Sequence, residues 1–201
     1  MFLAKDLNFK NIIFDLDGTL IDSAEAILES LRIAFINTGN VPIVELDSSL
    51  IGPPLFETIV KLLGTNDSDK ISPIINEFKI YYDERGFKQS SYFVGIPELL
   101  DELKKKKHNL YIATNKRLIP TEKIIDFLDW KNFFSEVYTL DKFNPNLKSK
   151  TELITKILKL NKLDLDDTLY VGDRNEDATA AKLNGLSFML AIWGYEKKKI
   201  I

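Results

Sequence analysis

The stretch Asn11-Ile12-Ile13-Phe14-Asp15-Leu16-Asp17-Gly18-Thr19-Leu20 constrains this chain more than any other. An apolar run stops abruptly at two carboxylates one residue apart, and a glycine and a threonine follow. A short continuous apolar run bounded by a turn signal reads as a strand buried on both faces, as strands of parallel sheets are. In such sheets ligands bind beyond the carboxyl ends of the strands, which is where Asp15 would stand. Two aspartates there suit a hard cation such as Mg²⁺, which takes oxygen ligands and keeps several waters. One of them also suits attack on phosphorus, since carboxylates act as nucleophiles in phosphoryl transfer. Gly18 would let the backbone turn sharply and approach a ligand closely. An isolated Asp-x-Asp is most often a strand ending in a solvated acidic turn, so the rest of the chain has to decide.

The 201 residues are enough for about one or two compact domains, and 45% of them are apolar, as in a protein with a proper core. A net charge of −3 argues against a general grip on nucleic acid, which needs a basic face. Cysteine is absent, which excludes disulfides, thiolate catalysis and cysteine zinc sites. The only histidine, His108, follows four lysines at an expected helix end and is a poor member of a Ser-His-Asp triad. Met1 to Asp6 holds no apolar core of signal-peptide length, and no run approaches the roughly 18 apolar residues of a membrane span. A cytoplasmic enzyme without membrane or nucleic-acid partners is therefore expected.

From Asp22 the apolar period changes from strand to helix. Asp22 with Glu25 resembles a capping box, Ile27, Leu28, Leu31 and Phe35 share a face, and Gly39 stands at a C-cap position. After the break at Gly52-Pro53-Pro54, Leu55, Ile59, Leu62 and Leu63 predict a helix ending at Gly64. Another is expected over 68–85, and Gly86 would end it. Residues 21–90 thus read as a helical insert without a convincing strand. Beyond it, strands and helices alternate. Pro97 opens a helix that closes on Lys104 to Lys107, in keeping with the helix dipole. Strands follow over 110–113, 136–140, 168–171 and 187–192, with helices over 121–128, around Leu153 to Leu158, and over 176–183. This alternation predicts an α/β fold with a doubly wound parallel sheet.

Three of these strands end in polar residues: Asp15 with Asp17, Thr114 with Asn115, and Asp173. Parallel strands would bring them to one edge. The Thr114 hydroxyl and neighbouring backbone N–H groups suit a phosphoryl oxygen. Asp173 is a candidate metal ligand, and Asp177 a weaker one or a partner behind it, although N-capping by Asp173 or Asn175 is the simpler reading of that acidic turn. Clustered carboxylates and an anionic phosphoryl group also call for positive charge, from Mg²⁺ and from a lysine. Lys148 and Lys150, just before a helix, are the candidates.

The string Asp15-Leu16-Asp17-Gly18-Thr19-Leu20-Ile21-Asp22-Ser23 resembles the first motif of the haloacid dehalogenase superfamily of phosphatases. Thr114, Lys150 and Gly172-Asp173-x-x-x-Asp177 resemble the remaining three motifs, in order, so the likeness spans almost the whole chain. It implies a Rossmann-like core over 1–20 and 91–201, with a C1-type helical cap over 21–90. It implies Asp15 as the nucleophile that forms an aspartyl-phosphate, and Asp17 as acid and base. Mg²⁺ would be held by the Asp15 carboxylate, the Asp17 backbone carbonyl and Asp173, while Thr114, Asn115 and Gly18 would face the phosphorylated small molecule. The resemblance favours Lys150 over Lys148. A carboxylate at Asp17 favours phosphate ester hydrolysis over dehalogenation.

Within the superfamily, Ile51-Gly52-Pro53-Pro54-Leu55, Ala113-Thr114-Asn115-Lys116 and Trp193-Gly194-Tyr195 look most like phosphoglycolate phosphatases, and are shared with pyrophosphatases and nucleotidases. The lysine motif lacks the Lys-Pro pair common in phosphoglycolate phosphatases, and Glu196 stands where glycine is frequent. A β-phosphoglucomutase-like phosphotransferase and a non-catalytic phosphate-binding module are the alternatives. Oligomeric state is not read from the sequence.

Overall fold

The computed structural model describes residues 8–196. In chain order its elements begin with β1 (Asn11–Phe14), β2 (Ile21–Asp22), α1 (Ala24–Asn37), α2 (Leu55–Leu63), α3 (Ser68–Glu84) and β3 (Ser91–Tyr92). There follow α4 (Ile96–Lys105), β4 (Asn109–Thr114), α5 (Leu118–Phe127) and β5 (Glu136–Thr139). The last are α6 (Lys150–Asn161), β6 (Thr168–Gly172), α7 (Asn175–Leu183) and β7 (Ser187–Leu190).

Five strands form a parallel sheet in the order β5-β4-β1-β6-β7, so β1 is central. Successive side chains of a strand point to opposite faces, and here both faces are buried. Ile12 and Phe14 enter the layer that holds Leu100 and Leu103 of α4 and Ile124 of α5. Ile13 enters the opposite layer, with Leu153, Ile154 and Ile157 of α6 and Ala180 of α7. The sheet is therefore doubly wound, as the alternation predicts, and its core is Rossmann-like. Phe14 pairs in register with Ile112 of β4 and Val171 of β6. That register sets Asp15 one residue past the pairing, and brings Thr114 and Asp173 to the same carboxyl edge.

Helices α1, α2 and α3 lie in the chain between the short strands β2 and β3. These two strands pair antiparallel, Ile21 with Tyr92 and Asp22 with Ser91. This ribbon departs from the strand-free reading of 21–90: a two-residue strand is too short to show a period. Two other boundaries move by two residues or more. Helix α5 starts at Leu118 rather than Thr121, because the Asp141 carboxylate accepts the Leu118 N–H at 3.0 Å from a distant loop. Strand β7 stops at Leu190, and Ile192 is exposed. Gly39 and Gly64 do adopt the left-handed conformation that ends α1 and α2. The four lysines from Lys104 to Lys107 are solvent-exposed. The His108 Nδ1 faces the Phe9 carbonyl at 2.6 Å and joins no triad. Among the described residues no helix is long and apolar enough to cross a membrane.

Because Ile13 is 0% exposed at the centre of the sheet, Ile13→Ala should lower stability by about 2–5 kcal/mol in urea denaturation. Val94, fully exposed beside the ribbon, is the control, and Val94→Ala should stay within about 0.5 kcal/mol of the parent. Equal losses would remove β1 from the centre of the core.

Candidate active site

The turn leaving β1 is tight. The Leu16 carbonyl accepts the N–H groups of Thr19, Leu20 and Ile21 at 3.2, 2.9 and 3.0 Å, and the Gly18 N–H donates to the Ile21 carbonyl at 2.9 Å. Gly18 takes a φ of +85°, which side-chain-bearing residues avoid. The turn buries both Asp15 and Asp17, in different company.

Asp15 faces a cluster made by β6, α6 and α7. Lys150, the first residue of α6, is placed by the Ser149 N-cap, whose hydroxyl accepts the Glu152 N–H at 3.2 Å. Its Nζ donates to Asp15 Oδ1 at 2.7 Å and to the Ala113 carbonyl at 3.2 Å, and lies 3.1 Å from Asp177 Oδ1. The Tyr170 hydroxyl donates to Asp177 Oδ1 at 2.6 Å, and the Arg174 N–H to Asp177 Oδ2 at 3.1 Å. Carboxylate oxygens of Asp15, Asp173 and Asp177 all lie within 4.8 Å of one another, and all three residues are buried. Burial alone would lower the Lys150 pKa, but Asp15 and Asp177 beside it reverse this and hold the ammonium charged. Asp15 is pushed up by burial and by its two acidic neighbours, with Lys150 opposing. One ammonium among three buried carboxylates leaves negative charge in excess.

That excess, and the surroundings of Asp173, fit a divalent cation. Burial raises Asp173 to about 6, against the opposing N–H of Tyr195, which donates to its Oδ2 at 2.7 Å. Oδ1 of Asp173 is buried with no partner among the described residues, an acceptor left for something else. Glycines crowd this carboxylate: a Cβ on Gly18 would fall 2.4 Å from Oδ2, and one on Gly194 would fall 2.2 Å from the Asp173 Cβ. Room for the aspartate exists only because both positions lack a side chain.

Asp17 turns the other way. Its Oδ1 accepts the Ser23 hydroxyl at 2.5 Å and lies 3.0 Å from Lys116 Nζ. Lys116 also donates to the Tyr82 hydroxyl of α3 at 2.8 Å, with Nζ 4.6 Å from that ring's centre. Burial would lower the Lys116 pKa, but Asp17 and Tyr82 raise it above its ordinary value. A cavity of about 70 Å³ opens from Asp17, lined by Asn115 and Lys116 below and by Leu31, Ile51, Phe78 and Tyr82 above. Its rim is tied down. The Arg174 guanidinium donates to the carbonyls of Ile51 and Ser49, and Asn115 Nδ2 donates to the Gly52 carbonyl at 3.0 Å and to Glu176 at 3.0 Å.

The structure thus gathers Asp15, Lys150, Asp173 and Asp177 into one buried group, with the Asp177 carboxylate rather than that of Asp17 completing the acidic trio. Thr114 lies at the same edge, where its hydroxyl oxygen accepts the Lys116 N–H at 3.1 Å. Asn115 lines the cavity. Gly18 stands behind the site, packed on Asp173, with its N–H used within the turn. Lys148 is exposed and outside the group. Sequence reasoning did not name Ser23, Tyr82, Tyr170 or Tyr195 as site residues. Ser23 and Tyr195 stood only within quoted motifs, and the signal at Tyr82 and Tyr170 was a polar group in a segment expected to be buried, as with Tyr170 amid Leu169 and Val171.

A sequence profile of haloacid dehalogenase-like hydrolases matches residues 12–191. The chain is 30% identical over 190 residues to a 5'-nucleotidase of Pseudomonas aeruginosa, covering 94% of this chain and 85% of the relative. It is 31% identical over 193 residues to a phosphoglycolate phosphatase of Aquifex aeolicus, covering 92% and 86%. The solved structure of protein tyrosine kinase A from Mycobacterium tuberculosis superposes with a TM-score of 0.78 at 28% identity, covering 96% and 88%. With a match that runs from β1 to the residue after β7, the chain belongs to the haloacid dehalogenase-like hydrolases.

Proposed function

We propose that this chain is a phosphatase of small phosphorylated metabolites that works through an aspartyl-phosphate on Asp15. Residues 1–20 and 91–201 serve as the catalytic core, and 21–90 as a cap over it. The observation that supports this most is the Asp15 carboxylate at the end of β1, bonded to Lys150 and grouped with Asp173 and Asp177. Asp15 attacks phosphorus, the bond to the leaving oxygen breaks, and that oxygen takes a proton from Asp17. Asp17 then accepts a proton from water as the water attacks the aspartyl-phosphate, which returns Asp15 and releases inorganic phosphate. Lys150 neutralises part of the charge on the reacting groups, and Asp177 holds Lys150 and Tyr170 in place. The Thr114 hydroxyl keeps its own proton for a phosphoryl oxygen. Mg²⁺, held by Asp15, Asp173 and the Asp17 main-chain carbonyl, would supply positive charge to the phosphoryl oxygens.

The leaving group belongs in the cavity beside Asp17. At about 70 Å³ it is far below the roughly 300 Å³ at which pockets for larger ligands begin. This favours a phosphoglycolate-sized monoester over a nucleotide. The relatives named above differ in what they act on, so the acceptor and substrate are for assay to decide. Phosphate release in water from a panel of phosphoglycolate, pyrophosphate, nucleotides and sugar phosphates tests the reading. Failure to release phosphate from any of them would leave transfer to another acceptor, or binding without turnover.

Asp15→Asn should cut phosphate release by at least about 10³-fold while leaving the far-ultraviolet circular dichroism spectrum unchanged. Activity within tenfold of the parent would overturn Asp15 as nucleophile. Mg²⁺ at 100 times its Kd should stabilise the fold by about 2.7 kcal/mol, seen as a melting temperature several degrees higher that chelation reverses. Asp173→Asn should abolish that shift. A shift that persists in the variant would place the cation elsewhere.

A further inference from the structure

Ser23 stands at the N-cap of α1, a position where a serine ordinarily turns its hydroxyl onto the first helical N–H groups. Here it makes no such bond. Asp22 takes over, its Oδ1 accepting the Ala24 N–H at 3.1 Å. The Ser23 side chain is instead 1% exposed and donates inward to Asp17 Oδ1 at 2.5 Å. Lys116 approaches that same oxygen. Two contacts thus fix one oxygen of the carboxylate of Asp17, a residue that also lines the cavity.

Ser23 is itself anchored from the far end of the chain. The Tyr195 hydroxyl accepts the Ser23 N–H at 2.7 Å and donates to Asp22 Oδ1 at 2.9 Å. The Tyr195 backbone N–H donates to Asp173 Oδ2. One residue thus spans the acidic trio and the point where the chain leaves the sheet for α1.

We propose that Ser23 is a positioning residue that turns the Asp17 carboxylate toward the leaving group, and that Tyr195 holds Ser23 in register for this. The inference rests on Asp17 as the proton donor. A misplaced donor slows only the loss of a leaving group that needs a proton, so its effect depends on substrate chemistry, whereas general loss of structure does not.

Two substrates of similar size separate the cases. Phosphoglycolate expels an alkoxide and needs the proton; acetyl phosphate expels a carboxylate and does not. The quantity to compare is kcat/KM, which stops at the first irreversible step and leaves out the shared attack by water. Ser23→Ala should lower kcat/KM for phosphoglycolate about 10- to 100-fold, within the range of general acid catalysis, and change it less than about 3-fold for acetyl phosphate. Ser23→Thr keeps the hydroxyl and should stay within about 3-fold on both. Tyr195→Phe keeps the ring and the backbone N–H to Asp173. It should show the same substrate-dependent loss, about 3- to 10-fold, with the Mg²⁺ melting shift unchanged. An equal loss on both substrates, no loss on either, or a Ser23→Thr variant as impaired as Ser23→Ala would overturn the proposal. Should Ser23→Ala fail to fold, Tyr195→Phe carries the same comparison. If the parent prefers another alkyl ester of the panel, that ester replaces phosphoglycolate in the comparison; a parent enzyme that releases phosphate from no compound of the panel overturns the phosphatase reading, and this inference with it.

Discussion

Three buried carboxylates gathered around one ammonium are the constraint on which the rest of this structure depends. Removing charge from water is costly, and an unpaired buried carboxylate is among the most expensive groups a fold can hold. The protein meets part of that cost with Lys150, the Tyr170 hydroxyl and the N–H groups of Arg174 and Tyr195. None of these donors comes from β1. They arrive from α6, β6 and the loops after β6 and β7, so the site exists only once the parallel register has formed.

The turn after β1 also separates two surroundings within three residues. Asp15 and Asp17 follow one another across a single turn, yet one joins the acidic group and the other faces Lys116 and Ser23. An extended strand would turn both to one face and Leu16, which is fully buried, to the other. The turn divides them because Gly18 adopts a conformation that residues with side chains rarely take, and because its missing side chain is where Asp173 fits.

Much of this was legible in the residues. The apolar run into Asp15, and the polar ends at Thr114 and Asp173, fall where a buried parallel sheet must place its ligands. The periods of the helices and strands gave their order. What stayed hidden depends on contacts between distant segments. Leu118 begins α5 because of a carboxylate at Asp141, and no local pattern shows that. Lys116 was read only as part of Ala113-Thr114-Asn115-Lys116, and its place beside Asp17 comes from Tyr82 and Asp17 closing around it. Tyr195 stood in the motif Trp193-Gly194-Tyr195, and nothing in that motif shows its bonds to Ser23, Asp22 and Asp173. Ser23 was read as part of a motif, while its burial and its partner come only from the fold.

The antiparallel ribbon of Ile21–Asp22 with Ser91–Tyr92 has a consequence for how such a chain diversifies. The polypeptide leaves the sheet and returns to it at neighbouring points, so the spacing of its ends does not depend on what lies between them. Insertions are tolerated best at such junctions. Helices α1 to α3 can therefore lengthen, shorten or exchange their lining residues over generations while β1 and β4 keep their pairing.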